Sequence, residues 1–233
     1  MASLPLIRMG PIDPKRPVVV FDGAISSQMI EHPFREFAAE ITFQLQHPQL
    51  KKLASEKPPM HFHPHQKEWI QVLEGALGVD VGAESYILTS TDGEFCVRAW
   101  EHHRLYPISN TASNVTRFIL SGSRTDEKYR LDTLFFSNWY GYQEECYQNE
   151  KKYDMVQVLS MFDAGGSYLS LPGWVPFGRT LSMMIGIALG RWIGSVMGYQ
   201  PFYRKWSFDW ERSCDKMETS IFQSRFAIRD KAD

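Results

Sequence analysis

Between Arg16 and Ser123 the chain is a succession of short β-prone runs cut by turn residues, and this pattern constrains the fold more than any other feature. Val18-Val19-Val20-Phe21 stops at Asp22-Gly23, and residues 40–46 alternate polar and apolar side chains at a period of two, the repeat of a strand with one buried face. Residues 69–73 and 76–81 flank Glu74-Gly75 and read as a hairpin. Residues 86–88 run to Asp92-Gly93, residues 95–97 start again, and residues 116–121 close the series. Roughly seven to ten strands at intervals of about 8–12 residues, with no helix-length pattern among them, predict a mainly β antiparallel barrel or sandwich.

A chain of 233 residues with 43% apolar and 22% charged residues builds a packed core, and one domain plus an appendage is the expected organisation. The net charge of -2, without any long basic run, lacks the electrostatic footprint of a nucleic-acid binder, so no nucleic-acid partner is expected. Cys96, Cys146 and Cys214 form neither a disulfide framework nor a CxxC pair. Three free thiols and a cytoplasmic, reducing compartment are the expectation. In residues 1–17 Leu4-Pro5-Leu6-Ile7 is the only apolar stretch, short of the roughly 7–15 residues of a signal-peptide core, so secretion is not expected.

Composition changes after the strand series, which divides the chain into a barrel over residues 1–125 and a helical C-terminal extension over 126–233. Aromatic residues crowd 131–149, and the apolar spacing of 153–162 suits a helix. Residues 180–200 carry a single charge, Arg191, with Gly186, Gly190, Gly194 and Gly198 at every fourth position. A helix there would be about 31 Å long with its glycines on one face. Trp and Tyr residues and Arg179, Arg204 and Lys205 flank it like membrane anchors, whereas the midpoint Arg191 is costly in hydrocarbon. Three readings stand: a helix packed on the barrel or on a second subunit, a helix lying at a membrane interface, and a membrane span. The packed helix is the first of these readings; under the other two, membrane association would run through 174–210, and a homodimer is the expected assembly.

Five of the seven histidines lie in two places, His61, His63 and His65 in one run and His102-His103 in another. On a strand His61 and His63 point to the same side, so their imidazoles can converge on one ion inside a barrel, with Glu68 arriving across a turn that contains Pro64. Two neutral imidazoles and a carboxylate leave open positions on a non-haem iron and also suit manganese, zinc or nickel.

The run His61-Phe-His63, four residues, Glu68, six residues, Gly75 resembles the first signature motif of the cupin superfamily of small β-barrels. The opening glycine of that motif falls on Ser55. Asp92-Gly93-Glu94, with His103 ten residues beyond the glycine, resembles the second motif, whose terminal asparagine falls near Asn110. The resemblance implies a single cupin jelly-roll barrel with a divalent metal, iron favoured, held by His61, His63, Glu68 and His103, and with His65 and His102 nearby for acid–base work. His102 and His103 compete for the last ligand position; His103 is preferred because it opens the next strand-like run. Phe43, Trp69, Trp100 and Phe118, which flank or alternate with the polar cluster, are the expected walls for a small lipophilic substrate. The functional expectation is metal-dependent oxidation of such a metabolite. Cyclisation, isomerisation or dehydration in the same barrel, and a non-catalytic ligand-binding cupin, are the alternatives.

Overall fold

The computed structural model describes residues 17–108 and 112–229, so the Leu4–Ile7 stretch and Asn110 lie outside the described residues. Among the described residues, eleven strands make two antiparallel sheets. The first is ordered β1 (Val18–Val20), β2 (Ile25–Met29), β3 (Arg35–Gln44), β10 (Val115–Ser123), β5 (Glu68–Glu74), β8 (Glu94–Val97). The second is ordered β11 (Tyr168–Leu169), β4 (His61–Phe62), β9 (His103–Pro107), β6 (Ala76–Val81), β7 (Glu84–Thr89). Alternation places the barrel interior: Glu68, Ile70 and Val72 of β5 are buried while Gln71 between them is exposed. Ile41, Ile70, Leu77, Val79 and Phe118 belong to one apolar cluster between the sheets. This is the mainly β cupin-type barrel with a helical C-terminal part.

The expected hairpin at Glu74-Gly75 does not form. β5 pairs with β10 and β8, whereas β6 pairs with β7 and β9, so the turn carries the chain from one sheet to the other. Gly75 permits this: its φ is +73°, and a Cβ there would sit 2.3 Å from the Val115 carbonyl oxygen. A helix does interrupt the strand series, α1 (Pro48–Ser55), started by Pro48 and by the His47 ring, which accepts the Gln49 N–H at 3.3 Å. Ser55 therefore ends a helix, its hydroxyl donating to the Lys52 carbonyl at 2.8 Å, where the motif places a turn glycine.

The C-terminal part packs on the barrel and also contributes β11 to it. Asp132 caps α2 (Thr133–Gln148), and Asp154 caps α3 (Met155–Ala164). Phe135 and Phe136 of α2 join the barrel's apolar cluster. The glycine-rich stretch is a continuous helical rod, α4 (Gly178–Ile185), a π-helical segment (Gly186–Ile193) and α5 (Gly194–Met197), and α6 (Trp210–Glu218) follows. Gly190 lies against the α3 backbone, where a Cβ would come within 2.5 Å of the Leu159 carbonyl. Gly186 faces Tyr168 and Gly194 faces Val156, but Gly198 touches nothing; at φ +102° it caps the rod. Arg191 is tied to the fully buried Asp163 by hydrogen bonds of 2.7 and 2.9 Å. The stripe thus packs against α3 of its own chain. By length and composition alone the rod, with a mean hydropathy of 1.3, would also suffice to cross a membrane.

Candidate metal centre

β4 and β9 lie side by side with His61 directly opposite His103, and β5 in the facing sheet contributes Glu68. His63 follows β4 and is fixed by its carbonyl, which accepts the Trp100 N–H at 2.9 Å. The ring centroids of His61 lie 4.4 Å from His103 and 5.0 Å from His63, and those of His63 and His103 lie 5.2 Å apart. His63, Glu68 and His103 are buried, and His61 keeps a partly exposed edge.

His103 is held on both sides. Its Nδ1 lies 2.9 Å from the Glu101 carbonyl and its Nε2 lies 2.9 Å from Glu68 Oε2. The carbonyl can only accept, so Nδ1 carries a proton and Nε2 is the nitrogen turned to the cluster. His63 has no hydrogen-bond partner on either ring nitrogen although it is 3% exposed, and Glu68 Oε1 stands 3.6 Å from its Nε2. A buried imidazole without a partner is costly unless something else binds it.

Electrostatics keep three of the four donors ready for an ion. Burial pushes the His63 imidazole down to about 4, with the Glu68 carboxylate opposing and His103 adding to the shift. Burial and the neighbouring imidazoles hold His61 well below the ordinary histidine range. Burial would raise the Glu68 carboxyl, but His63 and His103 more than reverse that and keep it ionised. Burial lowers His103, and the hydrogen bond with Glu68 outweighs it and raises the group. Neutral imidazoles and an ionised carboxylate are the protonation states that divalent metals require, and His61, His63 and Glu68 have them; His103, whose Nε2 proton the Glu68 carboxylate favours, would have to release that proton to an ion. One donor atom from each of the four residues lies within 4.8 Å of the others. Donors about 2.1 Å from a shared ion stand about 3.0–4.2 Å apart, so the set is somewhat wider than a loaded site and would contract around an ion.

The remaining expected residues lie elsewhere. His65 is exposed in the turn before β5. His102, one residue from His103 and so on the other face of β9, has its Nδ1 2.6 Å from the Ser170 hydroxyl, and its Nε2 accepts from Arg179 at 3.2 Å. Trp69 points out of the barrel, beneath the Arg35 guanidinium at 3.5 Å. Trp100 stacks on Phe62, which alternates away from His61, and serves the site through its backbone. Phe43 and Phe118 pack on each other at 5.2 Å, and Phe118 pairs with Val72, about 13 Å along β5 from Glu68. None of the four expected wall side chains is brought onto the ligand set. Phe162 of α3 takes that place, 6.4 Å from His61, backed by Phe135 at 5.9 Å and Trp139 at 5.0 Å. Leu169 of β11, in register with His61, was equally unforeseen; a two-residue strand leaves almost no periodic signal.

No protein-family model matches the chain. The chain is 43% identical over 217 residues to the probable oxidoreductase yanE of Aspergillus niger, a match covering 91% of this chain and 84% of that protein. It is 40% identical to an oxidoreductase of Arthrobotrys oligospora, over 97% of this chain and 92% of that one. The chain belongs to this family of fungal oxidoreductases. The epoxidase atD of Aspergillus terreus is 37% identical over 72% of this chain, and the match spans about half of atD, 52%. Among solved structures the likeness is slight: a sugar phosphate isomerase of the cupin superfamily from Silicibacter pomeroyi superposes with a TM-score of 0.33 at 17% identity, over 44% of this chain and 60% of the other. The family is enzymatic by the names of its members, and the barrel supplies a four-residue set able to hold a metal ion.

Proposed function

We propose that this protein oxidises a small lipophilic metabolite with dioxygen at a metal ion, iron favoured, held by His61, His63, Glu68 and His103. The observation that carries the reading is the buried, partnerless His63 beside Glu68 and two further imidazoles, in a family whose members are named oxidoreductases and, in one case, epoxidase. An iron held by His61, His63, Glu68 and His103 would supply one-electron chemistry toward dioxygen. The chain supplies the rest. Glu68 offsets the charge of the ion, and the Glu101 carbonyl fixes the His103 tautomer. Phe162, backed by Phe135 and Trp139, sets an apolar, aromatic surface beside His61 that favours a lipophilic substrate over a sugar. His102 and Ser170, on the outer face of β9, stay out of the chemistry.

The deciding experiment combines elemental analysis of protein purified without chelator with turnover of small lipophilic metabolites in air and under argon. About one equivalent of iron and loss of turnover under argon are expected. Turnover that persists without oxygen would assign the barrel to isomerisation, ring closure or dehydration, and binding without any turnover would make it a ligand-binding cupin.

A further inference from the structure

The rod over Gly178–Met197 is amphipathic with its polarity reversed. Ser182, Gly190 and Ser195 face the protein and are buried, whereas Met184, Trp192 and Val196 face outward at 60, 47 and 66% exposure. The loop before it presents Trp174 and Phe177 at 83 and 87% exposure, and Phe177 is held at φ +55°, a conformation that bulky residues rarely adopt. Ile221, 92% exposed, extends the same patch, since its neighbour Phe222 lies 6.1 Å from the Trp192 ring. Contiguous apolar surface with tryptophans standing free in water is not what a solvated surface selects.

We infer that this face docks on an anionic lipid bilayer, lying in the interface without crossing it. Charge points to the lipid. No acidic residue occurs between Asp163 and Asp209. Arg191 is paired with Asp163 and Lys205 with Glu145, and the cations at the two ends of the rod are Arg179 and Arg225. Arg179 is exposed near the start of the rod, and Arg225 lies at its other end, donating to the Ser195 and Val196 carbonyls. Apolar and tryptophan side chains on one face with arginines at both ends are the make-up of an interfacial helix on negatively charged headgroups. A span is ruled out by the inner face, because Gly190 is seated on the α3 backbone and Arg191 is paired with the buried Asp163. A second copy is a poor cover: antiparallel rods would set Arg179 of one against Arg225 of the other, with no acidic residue in the segment to compensate. The inference does not depend on the metal chemistry. Only eight positions separate Phe177 from Leu169, which pairs with His61, so the docked face lies a short way along the chain from the ligand strand.

The test is flotation of the purified full chain with vesicles of 70% phosphatidylcholine and 30% phosphatidylserine, and with phosphatidylcholine alone. The native protein is expected to float with the mixed vesicles and at least threefold less with the neutral ones. Trp174→Ser with Phe177→Ser should lower the bound fraction at least tenfold, and Met184→Ser with Val196→Ser should do the same by an independent route. An unchanged circular dichroism melt shows that each variant is folded. No flotation of the native protein, or flotation unaltered in folded forms of both double variants, overturns the inference. So does a native dimer by light scattering that the same substitutions dissolve in protein that never binds vesicles, because the face would then belong to a second copy.

Discussion

At the scale of single residues the site turns on which side of a strand each histidine occupies. His102 and His103 are adjacent in sequence and therefore point to opposite faces of β9, one toward Ser170 and Arg179, the other toward Glu68. His103→Ala and His63→Ala should each lower bound metal at least tenfold, and His102→Ala should leave it within twofold of the native value, as read by elemental analysis after gel filtration. The reverse order would move the ligand position to His102. His63 was legible as a ligand candidate because the HxH pattern places two imidazoles on one side of a strand. The apolar wall was not legible: Trp69 and Trp100 neighbour the motif in sequence, but alternation and a left-handed Trp100, at φ +69°, turn them away.

Among the elements, the rod and strand β6 each carry a decisive test. Gly190→Leu should destabilise by about 1–3 kcal/mol, since the nearest atoms are α3 backbone and cannot yield as a side chain would. On an exposed helix the same change would raise stability by up to about 1 kcal/mol, so an increased urea midpoint would refute the packing. Asp80 of β6 ties the second sheet together, accepting hydrogen bonds from Arg104 at 2.8 Å, Tyr106 at 2.8 Å, Ser85 at 2.7 Å and Lys57 at 3.1 Å. Burial alone would raise its carboxyl, but these donors outweigh it and hold the group far below the usual carboxylate range. A depressed folded value contributes stability that is present above the unfolded value of about 4 and is lost as pH falls toward the folded one. Asp80→Asn should therefore cost about 2 kcal/mol at pH 7, and the gap between native and variant urea midpoints should narrow below pH 4. A gap that stays constant down to pH 2.5 would remove Asp80 from the acid response.

For the whole molecule, the C-terminal part is held to the barrel by apolar packing and by buried polar ties. Arg191 and Asp163, together with Tyr168, fasten the rod to α3 and to β11, the strand that pairs with β4. Arg191→Met should destabilise by about 3–5 kcal/mol, because it strands a carboxylate that is 0% exposed, while adding Asp163→Leu should restore most of the loss. A single variant as stable as the native protein by thermal unfolding would show that the pair holds nothing. The same tie explains why a lone arginine in the middle of an apolar helix argues less for or against a membrane than its sequence position suggests: its partner lies 28 residues away.

What the sequence by itself determined is local and periodic. Alternation specified most of the strands, the HxH spacing marked His61 and His63 as a pair on one side of a strand, and the recurring glycines marked a helix face that admits close approach. Each of these needs only the geometry of one strand or one helix. Tertiary structure alone decided what depends on partners distant in the chain. It sent β5 and β6 to different sheets around Gly75, which a two-strand view reads as a hairpin. It added β11 to β4 across 106 residues, from Phe62 to Tyr168, where two residues carry no period. It set Phe162 beside His61, and it turned the polar side of the rod inward, because the buried Asp163 that receives Arg191 and the α3 backbone that receives Gly190 exist only once the helices have packed.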